Sequence, residues 1–304
     1  MIRPVIPAVA DTPPPLTPGA PLLVIEVQHG LCNRLRALAS AVSVARATGR
    51  ALLVVWCRDA HCGAALPDLL DWPGPVIDRP DAAAAFRARA ARVYDYLEID
   101  PRAVHREPVL APGDAPGGDV YVRSADTLAG PHRSLGADDA VLRALVPAAP
   151  VRAILDRAPA PAAVAAHVRM ATGPGFDHLA PEAPGNWPAH RHAALAAARA
   201  ASHADRFAAR LDALVEAGRA DSIFLAADLP ETYARFAARY GDRLRVLRRD
   251  AYDRSATQLQ YALADLVLLA RAGRLLASGY SSFSDVAQRL APPGRPVERS
   301  GHDF

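Results

Sequence analysis

The chain has 304 residues, 51% apolar and 22% charged with a net charge of +3, which excludes a disordered chain and suits two domains of ordinary size. Its 35 basic side chains are arginines spread along the whole length, a pattern that favours small anionic ligands and argues against duplex nucleic acid. Three cysteines, Cys32, Cys57 and Cys62, are odd in number and irregular in spacing, which excludes a secreted disulfide framework and points to a reducing compartment. Cys57 and Cys62 bracket His61, but the four-ligand spacing of a structural metal site is missing, so no metal is expected.

Residues 1–20 are proline-rich and lack the apolar core of a signal peptide, so they are expected to form a flexible leader. No stretch approaches the roughly 18 apolar residues needed to span a bilayer. The expectation is a cytoplasmic chain with no membrane insertion.

From Leu22 to Val27 an apolar, partly β-branched run reads as a buried strand, followed by a turn at Gly30 and a helix with Leu35, Leu38, Val42 and Ala45 on one face. Gly49 stops that helix and Ala51 to Trp56 forms a second strand, giving a βαβ unit with parallel pairing. Between Pro73 and Gly136 the pattern blurs, with strands expected near Val93–Leu97 and Val120–Arg123. Asp138–Val146 reads as helix, and the Ala/Pro-rich stretch Pro147–Pro161, with a short amphipathic piece inside it, reads as the linker. The domains are therefore set at 21–150 and 151–304.

The second half alternates more regularly. Strands are expected at Val164–Met170, Ser222–Ala226, Leu244–Leu247 and Arg274–Ala277. Between and after them fall a long helix from His190 to about Ala217 and helices at Pro230–Tyr240, Thr257–Arg271 and Ser282–Leu290. Four strands separated by helices specify a doubly wound parallel sheet, whose ligands sit beyond the carboxyl ends of the strands.

Four groups of chemically suited residues lie at such ends. Gly30-Leu31-Cys32-Asn33-Arg34 opens the first helix, where free N–H groups and a positive helix end suit an anion or sugar hydroxyls; the plain alternative is a turn glycine with Asn33 as the cap. His167-Val168-Arg169 ends a strand, with both polar side chains on one face, and an arginine there can grip a diphosphate bidentately; the plain alternative is a solvated arginine and a structural histidine. Asp228 follows the next strand and can accept hydrogen bonds from a guanine edge or a ribose, or cap the helix after it, which is the commoner role. Ser278 to Ser284 opens the last helix with hydroxyls and amides suited to phosphate oxygens, or forms an ordinary cap. Asp265 interrupts an apolar stretch and needs a partner or a ligand hydroxyl.

Taken in order, a GNRLRAL-like turn at Gly30–Leu38, His167-Val168-Arg169, Ala227-Asp228 and the run from Asp265 to Ser284 resemble the GDP-fucose-type fucosyltransferases, closest to the α-1,6, protein-O- and nodulation branch. The resemblance spans about residues 22–290 and implies a GT-B-like fold, two Rossmann-type doubly wound α/β domains with a cleft between them. It implies further that Arg169 holds the β-phosphate of a GDP-sugar, that His167 supports the same pocket and that Asp228 lies near guanine and ribose. Ser281 and Ser282 would bind the diphosphate, Asp265 the nucleoside side, and Gly30, Asn33 and Arg34 would complete the donor set. Asp177, ten residues after His167, is the implied general base, with His178 and Glu182 as competitors, and Trp187 would face the acceptor.

The implied activity is a metal-independent inverting transfer of a sugar, fucose by resemblance, from a GDP-sugar to an acceptor hydroxyl. The acceptor would be a glycan, peptide or natural product, and no cofactor is called for beyond the co-substrate. Where the family often has a further arginine and an aspartate after its His-x-Arg, this chain has Met170, Ala171 and Thr172. That departure keeps open a non-catalytic nucleotide-sugar-binding protein of the same fold.

Overall fold

The computed structural model describes residues 19–97, 106–113, 117–170 and 189–304. The chain divides into two compact units, Met1–Ala148 and Ala149–Phe304. Each is built on its own five-stranded, wholly parallel sheet.

In the first unit the order of elements is β1 (Leu22–Val27), α1 (Leu31–Thr48), β2 (Ala51–Val55), α2 (Leu66–Leu69), β3 (Val76–Ile77), α3 (Pro80–Arg89), β4 (Arg92–Asp95), β5 (Val120–Ser124) and α4 (Leu135–Ala144). The strands lie in the order β3-β2-β1-β5-β4, so the winding reverses between β1 and β5. Every residue of β2 is buried, as expected for a strand covered on both faces. Burial on α1 runs round the whole helix from Leu31 to Ala45, beyond the one expected face, because α4 packs on it as well as the sheet. Gly49 closes α1 in the left-handed conformation at φ +64, where a glycine carries no Cβ penalty. At the other end the N-cap is Gly30 and not Asn33, which stands inside the first turn.

In the second unit follow α5 (Ala149–Asp156), β6 (Val164–Val168), α6 (Ala189–Ala201), α7 (Ala204–Glu216), β7 (Ile223–Ala227), α8 (Pro230–Tyr240), β8 (Leu244–Arg245), α9 (Ala256–Arg271), β9 (Leu275–Ala277), α10 (Ser282–Leu290) and β10 (Val297–Arg299). The order β10-β9-β6-β7-β8 has five strands where four were expected, with β10 added at an edge. It is the arrangement of a dinucleotide-type sheet, reversing between β6 and β9. The expected long helix after His190 is two helices, broken where His203 caps α7. The amphipathic piece expected inside the linker is α5, whose Val151 and Ile154 are buried and which packs on α9.

The two-residue period of β6 sets the site. Val164, Ala166 and Val168 join one core with Phe207, Leu211 and Leu214 of α7 and Phe236 of α8. His167 is out of phase with them and is therefore directed to the opposite face.

Arg34 shows what the first turn of α1 contributes. Its guanidinium is fully buried, donating to the His29 carbonyl, the Cys57 carbonyl and Asp59 Oδ2, each at 2.7 Å, and lying 5.1 Å from the centre of the Trp56 ring. It braces the loops after β1 and β2. Arg34→Met should lower unfolding free energy by about 2–4 kcal/mol, since two half-buried carbonyls and Asp59 lose their donor. Urea denaturation of the full chain tests this, and an unchanged midpoint would show that the brace is dispensable.

Candidate functional site

The site begins where β6 and β9 part. They pair only at Ala165–Leu275 and Ala166–Leu276, and the gap beyond is filled by side chains of the turn into α10. The Ser278 hydroxyl donates to the His167 carbonyl at 2.7 Å and accepts the Arg169 N–H at 2.8 Å, standing in for the missing ladder bonds. Ser284 Oγ accepts the Ser278 N–H at 3.0 Å and shares a 2.7 Å hydrogen bond with His167 Nδ1.

His167 is thereby fixed between two elements, with its ring stacked on Phe283 at 4.7 Å. Burial pushes its pKa down to about 3, with Arg169 and Arg199 adding to the effect against Asp228, so the ring is neutral at physiological pH. It packs and orients.

Just past the end of β6, Arg169 Nη1 donates to Asp228 Oδ2 at 2.7 Å, and the Met170 N–H reaches Asp228 Oδ1 at 3.4 Å. Asp228 therefore does not cap α8, whose N-cap is Leu229 without a side-chain bond. A second arginine, Arg199 of α6, joins them, its Nη1 donating to the Arg169 carbonyl at 3.2 Å. Burial pulls Arg199 down to about 10, and the neighbouring Arg169 charge acts in the same direction. Among the described residues two guanidiniums therefore meet at the switch point, Arg169 on the Asp228 carboxylate and Arg199 on the Arg169 carbonyl. Ser281 and Ser282 open α10 beside this turn, Ser281 as the N-cap. The structure thus brings together His167, Arg169, Asp228 and the turn leading to Ser281 and Ser282.

Asp265 lies on α9, buried and ion-paired with Arg249, whose guanidinium faces the Tyr252 and Tyr261 rings at 5.7 and 5.3 Å. The partner that the sequence demanded is therefore an arginine of the chain itself. Burial still raises the Asp265 carboxyl to about 6 against the pull of Arg249, and its Oδ1 is buried without a hydrogen-bond partner. The group is tied to the end of β7 through Tyr233, whose hydroxyl accepts the Ala227 N–H at 2.8 Å and whose ring lies 5.5 Å from Tyr252.

Gly30, Asn33 and Arg34 belong to the N-terminal unit, and the Arg34 charge is spent inside it. Asp177, His178, Glu182 and Trp187 lie outside the described residues. Among the described residues no group of three or more His, Cys, Asp or Glu side chains could hold a metal ion, and no helix is long and apolar enough to cross a membrane.

The depressed His167 pKa carries a sign. A folded ring near 3 against 6.5 unfolded binds fewer protons, so its contribution is complete above about pH 6.5 and is lost as pH falls toward 3. In His167→Gln, which keeps a polar partner for Ser284, the urea midpoint should depend less on pH across that window than in the wild type. Parallel pH profiles would exclude His167 as the source.

No protein-family model matches the chain, and no curated protein matches it by sequence. Solved structures do. The fucosyltransferase NodZ from Bradyrhizobium superposes with a TM-score of 0.52 at 16% identity, over 90% of this chain and 94% of that one. POFUT1 in complex with GDP-fucose gives 0.51 at 12% identity, over 94% and 99%. A mutant of Arabidopsis thaliana FUT1 in complex with GDP gives 0.52 at 16% identity, over 91% and 72%. The chain therefore has the α/β, GT-B-like fold of these fucosyltransferases.

Proposed function

We propose that this protein is a glycosyltransferase that binds a GDP-sugar in its C-terminal domain and transfers the sugar, fucose by resemblance, to an acceptor hydroxyl. The observation that carries this reading is the Arg169–Asp228 ion pair with Arg199 bonded to the Arg169 carbonyl, at the β6–β9 switch point and beside the α10 N-terminus. A diphosphate needs such a place: planar donors for its oxygens, a helix end, and a positive charge already desolvated. Structures of similar fold bound to GDP-fucose and GDP support the same ligand class.

The reaction we propose is an inverting displacement. The acceptor oxygen attacks the anomeric carbon, the bond from that carbon to the β-phosphate oxygen breaks, and GDP leaves with the electron pair. Arg169, Arg199 and the N–H groups opening α10 stabilise the negative charge that grows on the diphosphate. Asp177 is the proposed base for the acceptor proton, Trp187 the proposed acceptor contact, and Asp228 with Asp265 the proposed nucleoside side. The reaction so written needs no metal, because the arginines supply the countercharge.

Arg169 is the residue on which the reading turns. Arg169→Lys keeps a positive charge for Asp228 but loses the planar fork, so the fold should persist while GDP affinity falls by about tenfold to a hundredfold. The loss in transfer or donor hydrolysis should be larger, because charge grows on the leaving group. Isothermal titration with GDP, repeated in EDTA, together with a melting curve, reads all of this. Unaltered GDP affinity, or binding that vanishes on chelation, would overturn the metal-free diphosphate site.

A second test separates the base from the grip. Asp177→Asn should lower kcat by on the order of 10²–10⁴ with donor affinity nearly intact. Unchanged turnover would move the role to Glu182 or His178.

A further inference from the structure

Tyr280 stands in the middle of the turn that joins β9 to α10, in the left-handed region at φ +47. A glycine would meet this backbone demand without strain, yet the position carries an aromatic ring that is 53% exposed. The turn is held from both sides. Before it, the Gly279 N–H donates to Ser202 Oγ at 3.2 Å and Ser300 Oγ at 3.3 Å, two hydroxyls that are themselves 2.8 Å apart and buried. After it, Ser281 caps α10. A disfavoured conformation persists only where its surroundings over-determine it, and these anchors do so.

The position of the ring follows from the sheet order. Tyr280 is one residue from the α10 cap, in the turn whose Ser278 accepts the Arg169 N–H at 2.8 Å. It is therefore beside the proposed diphosphate. The strands run β9-β6-β7, so the turn after β9 and Asp228 after β7 lie on opposite sides of β6. With the nucleoside on the Asp228 side, the sugar extends on the side of Tyr280.

We propose that Tyr280 is a donor-sugar contact, its exposed ring forming the apolar platform against which one face of the pyranose packs while Arg169 and Arg199 hold the diphosphate. Ring and pyranose face are both apolar surfaces that the contact removes from water. The proposal rests on the nucleotide-sugar reading above.

The test uses the full chain and two ligands, GDP and GDP-fucose, titrated calorimetrically into the wild type, Tyr280→Gly and Tyr280→Asn. Both replacements tolerate a left-handed backbone, and the glycine variant should melt no lower than the wild type. GDP-fucose affinity should fall about three- to tenfold further than GDP affinity in both variants, and donor hydrolysis should slow by at least as much. Tyr280→Phe should recover most of that loss, since the ring and not the hydroxyl makes the contact. Equal changes for the two ligands would overturn the sugar contact and leave the diphosphate site standing. A wild-type chain that binds neither ligand would overturn the nucleotide-sugar reading and this proposal with it.

Discussion

Beyond Ala166 and Leu276, where β6 and β9 stop pairing, serine hydroxyls do what ladder hydrogen bonds do elsewhere in the sheet. A parallel sheet that opens at its switch point strands backbone donors and acceptors, and buried ones cost free energy unless they find partners. Ser278 serves two backbone groups on the β9-facing edge of β6 at once, and Ser284 serves both Ser278 and His167. An apolar side chain at either position would leave those groups unsatisfied or pull the strands together. The crevice is thus a consequence of satisfied hydrogen bonds, and the residues placed around it inherit that rigidity.

The C-terminal domain was legible in proportion to its punctuation. Pro230 at the first position of α8 and the Ser281 cap of α10 mark helix starts that the structure places at the expected residues. The break between α6 and α7 went unread because its cap is a histidine between Ser202 and Ala204, with no glycine or proline beside it to signal a stop. Strand β10 escaped for another reason. It is a three-residue edge strand carrying Glu298 and Arg299, so neither an apolar run nor a clear alternation marks it.

Among the site residues, the strand-end group at His167 and Arg169 could be read because a polar pair stands out at the end of an apolar run. Arg199 could not. It lies in an alanine-rich helix, where an arginine looks like any solvated side chain, and only the fold lays it against Arg169. Asp265 was recognisable as an anomaly on α9, whereas its partner Arg249 sits in a segment with no periodicity to draw attention to it. Arg34 reads the other way. Its position in a helix-opening motif suggests a ligand contact, and its hydrogen bonds belong to the carbonyls of His29 and Cys57 and to Asp59. A motif fixes where a side chain starts, while the fold decides what its far end meets.

The electrostatics of the switch point explain why such an arrangement suits a passing ligand more than a permanent structural role. A buried ion pair of one arginine and one aspartate balances its own charge, as Arg249 and Asp265 of α9 illustrate. At Arg169 a second guanidinium, that of Arg199, donates to the backbone carbonyl, and burial pulls Arg199 down to about 10. That desolvation has been met in part by folding, so an incoming anion would meet half-buried guanidiniums already held in place. A neutral ligand would gain little from them. The paired guanidiniums are therefore an argument about ligand class, and they stand on the Arg169–Asp228 ion pair and the Arg199 bond to the Arg169 carbonyl.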